Sequence, residues 1–248
     1  MNAGTWRRSQ DTDLNIRLSK VYLVVFAALT LLLVEVHEQL HAVGTRLLYG
    51  GWAEWVFDNV LPYRGCSPAR LAVVDVVGPL FSYAMLWLGA VLAWRPGTRA
   101  QALGFSLAFA SLPLGRLLPQ LVTAFVEGST SDEYGFLRRM AGDALDRREA
   151  GLLAFLVALA LTLPPLVALW KRLPADRRLS LFVRFYSLPL VFVIVWLAGM
   201  NAALAHGVLS RDLLQGWPAL VAVHAVLVTA VVWLGRQQIG RLAGSQSP

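Results

Sequence analysis

The sequence predicts an all-α, polytopic membrane protein with about six transmembrane helices. Hydrophobic residues make up 57% of the 248 residues and charged residues only 15%, and the mean hydropathy of +0.58 is too high for one soluble domain. Long apolar runs alternate with short basic clusters such as Arg138-Arg139 and Lys171-Arg172. Such clusters are typical of anchors that flank a membrane, so we expect the lipid bilayer as a partner and no nucleic acid.

The first apolar segment, residues 20 to 47, carries the most informative motif of the chain. It follows a polar tail, residues 1–18, and is long enough to cross a hydrocarbon core of about 30 Å. Its last third contains the pentapeptide HEQLH. Residues four apart lie about 40° apart around an α-helix, so His37 and His41 present two imidazoles from one face to a single ion.

The chemistry of this motif is that of a zinc hydrolase. Neutral imidazole is a good zinc ligand, and a carboxylate that lies beside the metal without binding it can take a proton from water. Ionisable side chains inside a span are unfavourable unless they are paired or face a polar cavity. We therefore predict that His37 and His41 bind a metal ion and that Glu38 is the catalytic base. The alternative is a structural polar cluster.

A loop and a second span follow. Residues 52 to 70 are rich in Trp, Pro and Gly, and we interpret them as an interfacial or partly re-entrant loop. The second span, residues 71 to 94, contains the dipeptide Gly78-Pro79. Pro79 frees a backbone carbonyl, which lipid tolerates only against protein. The dipeptide either shapes the site or allows close helix packing.

The second and third spans each carry a charged residue. Asp75 needs a partner, which we expect to be His37, His41 or Arg46. The third span, residues 101 to 126, is interrupted by Pro113, Gly115 and Pro119. Irregular backbone at membrane depth is expected only where it is buried in protein or lines a cavity. Arg116 therefore either lines such a cavity or extends to the membrane surface.

A short amphipathic helix after the third span carries Asp132. Thr130 and Glu133 form a capping-box pattern, and Asp132 would suit the first turn of the helix. Because three spans bring the chain back to the face where HEQLH lies, Asp132 can also reach the two histidines. Two histidines and one carboxylate are an established zinc set, so we predict Asp132 as the third ligand. The competing carboxylates are Glu127, Glu133 and Asp75.

The rest of the chain adds three spans, at residues 151–170, 181–208 and 217–234. A lone histidine in an apolar span is more often a packing residue than a ligand, which applies to His206 and His224. We divide the chain into the tail, a metalloprotease-like membrane core at 19–145, additional transmembrane helices at 146–235 and a second tail at 236–248. Basic residues are slightly more frequent on the amino-terminal side, which favours both termini in the cytoplasm of a multi-pass protein of the cell membrane.

These residues resemble the site-2 protease family of intramembrane zinc metalloproteases over roughly positions 20 to 145. HEQLH followed by Gly44 is similar to the first family motif, and VGPL at 77–80 is similar to the Gly-Pro element of its next core span. Asp132, in the sequence SDEYG, stands where the family supplies its third zinc ligand from an Asp-Gly motif. The resemblance implies a three-span core in which His37, His41 and Asp132 bind Zn²⁺. It also implies that Glu38 activates the water that cleaves a membrane-spanning or membrane-proximal peptide.

Two other function classes are compatible with the sequence. A metal-binding transporter or sensor would line one path through the bundle with Asp75, Arg116, Asn201, His206 and His224. A catalytically inactive scaffold would keep the fold and bind membrane partners. Substitution of Glu38 separates these classes, because only a protease needs its carboxylate for cleavage.

Overall fold

The computed structural model describes residues 16, 18–57, 59–61, 67–213 and 216–240. The predicted amino-terminal tail up to residue 15, residues 62–66 of the predicted loop and the tail from residue 241 lie outside the described residues. The elements in chain order are α1 (Lys20–Tyr49), β1 (Glu54–Val56), β2 (Asn59–Leu61), α2 (Pro68–Trp94), α3 (Thr98–Ala110), α4 (Pro113–Phe125), α5 (Asp132–Ala141), α6 (Arg147–Lys171), α7 (Arg178–Ala205) and α8 (Ala219–Ile239).

Six segments within the described residues are long and apolar enough to cross a membrane. They are α1, α2, the pair α3–α4, α6, α7 and α8. The prediction of an all-α, multi-pass membrane protein is confirmed. The loop after α1 differs in detail, because it contains a short antiparallel hairpin in which Glu54 pairs with Leu61 and Val56 with Asn59.

The third span is broken, as the sequence predicts. α3 ends at Ala110, and α4 begins at Pro113. Between them Leu112 has a φ of 53°, in the left-handed region, and the Ser111 hydroxyl donates a 2.7 Å hydrogen bond to the carbonyl of Ala108. The break ends one helix and lets a second start, and this second helix carries Arg116 to the functional site.

An aromatic core holds the amino-terminal half of α1. Phe185 of α7 lies 5.5 Å from Phe26 and 4.8 Å from Phe105 of α3, centroid to centroid. The Tyr22 hydroxyl is 3.0 Å from the Ser106 hydroxyl in the same region. This apolar packing fixes the half of α1 that precedes HEQLH, and the polar chemistry is confined to the other half.

Close approach of α2 to α3 places α2 beside α1. A Cβ on Gly89 of α2 would lie 2.6 Å from the backbone nitrogen of Ala108 and from the carbonyl oxygen of Gly104. Only glycine fits there, because real Cβ atoms do not approach backbone so closely. Gly78, eleven residues or about three turns earlier and thus on nearly the same side of α2, faces the histidines of α1.

Candidate metal centre

The two histidines of HEQLH lie on the buried side of α1. His37 and His41 are only 4% and 6% exposed, and their ring centroids are 4.9 Å apart. No Gly or Pro interrupts α1 before Gly44, so the helix is regular through the motif. The four-residue spacing therefore brings both rings to one side of the helix.

Contacts with α2 orient each imidazole ring. His41 Nδ1 lies 2.6 Å from the carbonyl oxygen of Val74. Because a carbonyl oxygen only accepts, this nitrogen carries the proton. His37 Nδ1 lies 2.9 Å from Ser82 Oγ; a hydroxyl can donate or accept, and when the ring donates to it, Nε2 keeps a free electron pair. In these tautomers both Nε2 atoms offer lone pairs towards the same point.

Asp132 completes a group of three ligand atoms. Its Oδ2 lies 3.2 Å from His37 Nε2 and 3.8 Å from His41 Nε2, and the two Nε2 atoms are 3.2 Å apart. Three electron-pair donors this close repel one another unless a proton or a metal cation lies among them. Within the described residues, His37, His41 and Asp132 form a group that could hold a metal ion.

Arg116 of α4 places positive charge beside Asp132. Its Nη1 lies 3.1 Å from Asp132 Oδ2 and 3.9 Å from Glu133 Oε1. Burial raises the pKa of Asp132, but hydrogen bonds from His37 and His41, which need a proton on Nε2 when no ion is bound, and the charge of Arg116 outweigh burial and hold this pKa well below its usual range. Asp132 is thus a carboxylate, the form that a metal ion needs.

A polar network docks the first turn of α5. Glu133 is 6% exposed and accepts a 2.7 Å hydrogen bond from the Tyr83 hydroxyl of α2. The Gln120 side chain of α4 donates to the other oxygen of Glu133 and accepts from the Ser131 hydroxyl at 2.5 Å. Because this network ties the start of α5 to α2 and α4, it positions Asp132, the first residue of α5.

Glu38 faces open space beside the three ligand atoms. A cavity of about 530 Å³ is lined by Glu38, His41 and Asp132 together with other polar side chains. A second cavity of about 50 Å³, lined by His37, Glu38 and Arg116 among others, has room for a few water molecules. Glu38 therefore adjoins the metal-binding group without belonging to it.

The fit of α1 against α2 depends on Gly78. A Cβ at this position would lie 2.7 Å from His37 Nε2 and closer still to His41 Nε2. Gly78 lies four residues after Val74 and four residues before Ser82, so the three residues share one side of α2. On that side the Val74 carbonyl, the space at Gly78 and the Ser82 hydroxyl face the histidines. Gly78 thus makes room for the imidazoles. Of the two roles considered for the Gly-Pro dipeptide, site shaping and close helix packing, this contact supports site shaping.

Three polar residues of the site were not singled out in the sequence. Ser82, Tyr83 and Gln120 are buried inside otherwise apolar spans. That position is itself a signal, because a polar side chain in a span needs a partner. Ser82 carries the further signal of lying four residues after Gly78.

The predicted partner of Asp75 is wrong. Asp75 pairs with Arg139 of α5, with 2.5 Å between Oδ2 and Nη1, and with neither histidine nor Arg46. Arg46 is exposed in the last turn of α1 and donates to a backbone carbonyl there. Of the competing third ligands, Asp75 and Glu133 are engaged elsewhere and Glu127 is exposed.

The capping box predicted from Thr130 and Glu133 is also wrong. The N-cap of α5 is Ser131, whose side chain makes no capping hydrogen bond. Its hydroxyl and the Glu133 carboxylate are engaged in the network around Gln120, which competes with capping. A true capping box occurs one helix later, where Asp146 and Glu149 begin α6.

His224 lies in a separate buried polar cluster. Its Nδ1 is 3.3 Å from Glu35 Oε2, and its Nε2 accepts a 3.0 Å hydrogen bond from Trp196 Nε1. Acceptance at Nε2 requires the proton to be on Nδ1, so His224 donates to Glu35. His224 is the hydrogen-bonded packing residue that its apolar surroundings predict.

The residues that would line a transport path do not lie together. Asp75 and Arg116 line the 530 Å³ cavity. Asn201 instead accepts a 3.1 Å hydrogen bond from the backbone N–H of Phe57, and His206 is exposed at the C-cap of α7. Within the described part of the chain, the residues expected to line one transport path therefore lie in separate regions.

Comparisons with protein-family models, curated proteins and solved structures find no match to this chain. A proposal for the function of this chain therefore rests on the chemistry of the candidate metal centre. The relevant features are two oriented imidazoles, one carboxylate beside a cation and an adjacent glutamate at a polar cavity.

Proposed function

We propose that the protein is a zinc-dependent intramembrane endopeptidase that resembles the site-2 protease family. The observation that carries this proposal is the convergence of His37, His41 and Asp132 within 3.8 Å. Glu38 lies beside them at a polar cavity. The substrates are membrane-spanning or membrane-proximal peptides, because α1, which carries the motif, is one of the six apolar segments.

The donor set favours zinc among the common metal ions. Two imidazole nitrogens and one carboxylate are an established catalytic zinc set, with a fourth position open for water. Magnesium and calcium prefer oxygen ligands throughout. When bound, zinc supplies Lewis acidity, which lowers the pKa of water and polarises the scissile carbonyl.

Glu38 and Arg116 perform the other steps in this proposal. The Glu38 carboxylate accepts a proton from the attacking water as the new C–O bond forms, and returns it to the amine nitrogen as the C–N bond breaks. Arg116 holds the Asp132 carboxylate by the 3.1 Å contact. Its charge also favours the negative oxygen that develops on the carbonyl.

The 530 Å³ cavity supports a peptide substrate in extended conformation. Its volume lies within the range of roughly 300–1,000 Å³ that is typical of ligand sites. A peptide bond inside a helix is shielded by its own hydrogen bonds, so a bound segment has to unwind before cleavage. The polar residues of the cavity wall can hydrogen bond to the unwound backbone.

The metal content of the purified full chain tests the proposal. We expect about one zinc per chain in the parent, because the three ligand atoms form one site. A His37→Ala, His41→Ala variant should contain none. His206→Ala is the matched control, since this exposed histidine lies at the end of α7, and it should keep the parent's content. A parent purified without chelator that contains no metal contradicts the proposal.

Cleavage is tested with Glu38→Gln, which keeps the size of the side chain and removes the base. We expect this variant to retain zinc and to lose the new peptide ends that the parent generates in membrane proteins of the expressing cell. The ends are measured by mass spectrometry of labelled amino termini. If parent and variant yield the same ends while both contain zinc, the chain is a metal-binding scaffold or transporter.

A further inference from the structure

A cavity remote from the metal centre lies between α1 and α7. Its volume is about 370 Å³, and its walls include Leu23 and Ala27 of α1 and Leu188 and Phe192 of α7. On α1 the wall ends at Thr30, seven residues before His37, which corresponds to about 10 Å along the helix. This groove is therefore independent of the metal centre.

The groove is open because α7 buries only a narrow stripe. The buried residues of α7 are Leu181, Phe185, Pro189 and Val193. They recur every four residues, so they form one line along the helix. Side chains beside this line, such as Leu188 at 60% exposure, face the groove and the bilayer. In a membrane, hydrocarbon chains fill such an apolar space.

One cation lies on this apolar wall. Arg184 lines the groove and is exposed, and it has no hydrogen bond or ion pair with any other residue that the structure describes. It stands six residues after Arg178, the first residue of α7, which is about 9 Å along the helix. An unpaired charge at such a position is unfavourable in lipid, and a phosphate would relieve this cost through two parallel hydrogen bonds.

We propose that the groove between α1 and α7 binds one anionic phospholipid, with its phosphate on Arg184 and an acyl chain along the apolar walls. An amphiphile of this kind matches both parts of the site. Lys20, the exposed first residue of α1 near the groove residue Leu18, adds a second positive charge. Neither cation has an ion pair with a residue that the structure describes, and two such charges favour a headgroup of net negative charge over a zwitterionic one.

Native mass spectrometry of the delipidated full chain tests this site. The probes are phosphatidylglycerol and phosphatidylcholine with identical acyl chains. We expect the parent to bind one phosphatidylglycerol in preference to phosphatidylcholine. Arg184→Gln should weaken phosphatidylglycerol binding roughly tenfold, the loss typical of one charged hydrogen-bonding partner. Arg184→Lys should retain part of the preference.

Two further variants make the result specific. Ala27→Phe fills the groove while Arg184 stays in place, and it should weaken the binding of both lipids. Arg211→Gln removes the same charge from an exposed site beyond the other end of α7, and it should bind like the parent. All variants are compared as monodisperse, helical species.

Three outcomes would overturn the proposal. In the first, Arg184→Gln keeps the parent's preference for phosphatidylglycerol. In the second, Arg211→Gln loses as much binding as Arg184→Gln, so that general surface charge explains the preference. In the third, Arg184→Gln changes the oligomeric state of the protein equally with and without lipid, which would assign the groove to a second copy of the chain.

Discussion

At the scale of single residues, the orientation of the two histidines at the candidate metal centre depends on their Nδ1 atoms, which face away from the ion site. The Val74 carbonyl and the Ser82 hydroxyl engage the Nδ1 atoms of the two histidines. The Val74 carbonyl places the His41 proton on Nδ1, so that Nε2 of the neutral ring is free to bind a metal ion, and both contacts hold the rings in one orientation. Ring orientation is thus set by α2, while the histidines belong to α1.

Ser82→Ala tests this role directly. We expect zinc affinity to fall between roughly tenfold and a hundredfold, because His37 loses the partner that holds its ring in orientation. Affinity is measured by competition with a chelator of known strength. Ser111→Ala is the control. Like Ser82, Ser111 is buried and lines the cavity of about 50 Å³, but its hydroxyl donates to a backbone carbonyl. Equal losses in both variants would contradict a specific role for Ser82.

The sequence predicts which residues converge better than it predicts their partners. HEQLH indicates that His37 and His41 share one face, because this follows from helical spacing alone. The hydrogen bond from His37 to Ser82 joins residues 45 positions apart, and local patterns carry no information at that distance. The role of His37 and His41 as zinc ligands stays a prediction.

At the scale of elements, α5 carries Asp132, the proposed third ligand, and is held by contacts outside the candidate metal centre. Its first turn is docked through Glu133, and its last turn is docked through the ion pair of Arg139 with Asp75. The side chains of this pair are 30% and 18% exposed. Both ends of α5 are therefore anchored, and Asp132 has little freedom to move.

Asp75→Asn should release the last turn of α5. We expect lower zinc affinity and a loss of stability between the ~1 kcal/mol of exposed ion pairs and the ~3–5 kcal/mol of buried ones. Chelator competition and thermal unfolding measure the two effects. The exposed Asp143→Asn, in the turn after α5, should change neither.

A double variant separates the ion pair from general effects of the substitution. Asp75→Asn combined with Arg139→Gln leaves no unpaired charge, so it should be more stable than Asp75→Asn alone. If the stability losses of Asp75→Asn and Arg139→Gln simply add in the double variant, the ion pair does not hold α5.

The elements themselves are largely predictable, but their junctions are not. Each of the six apolar runs forms a helical segment long and apolar enough to cross a membrane, as its length and hydropathy predict. The hairpin of β1 and β2 was not predicted, since three-residue strands leave no periodic pattern. The start of α5 was misplaced because Ser131 and Glu133 contact Gln120 instead of capping the helix.

At the scale of the whole molecule, a buried polar link joins the outer helices to the helix that carries the metal centre. Glu35 of α1 and His224 of α8 are each 4% exposed, and Trp196 of α7 donates to His224. Glu35 Oε1 has no hydrogen-bond partner among the described residues. Among the described residues, this buried carboxyl group therefore has His224 as its one hydrogen-bond partner.

His224→Leu should destabilise the bundle strongly. It leaves Glu35 buried without a donor, a change that costs about 3–5 kcal/mol when one partner of a buried pair is removed. Thermal unfolding in detergent measures the effect. Glu35→Leu combined with His224→Leu should recover most of the loss, since apolar replacement of a buried pair is often neutral. A double variant as unstable as His224→Leu would contradict this account.

Asp132 is separated from His37 by 95 residues, and this distance sets an order of events during synthesis. Both histidines are translated with the first span, whereas Asp132, the proposed third ligand, is translated only after the second and third spans. A nascent chain that stops before α5 has two imidazoles and no carboxylate for the ion. On the proposed function, the site would thus be incomplete until the first three spans and α5 have been made, so an unfinished chain would lack the hydrolytic centre.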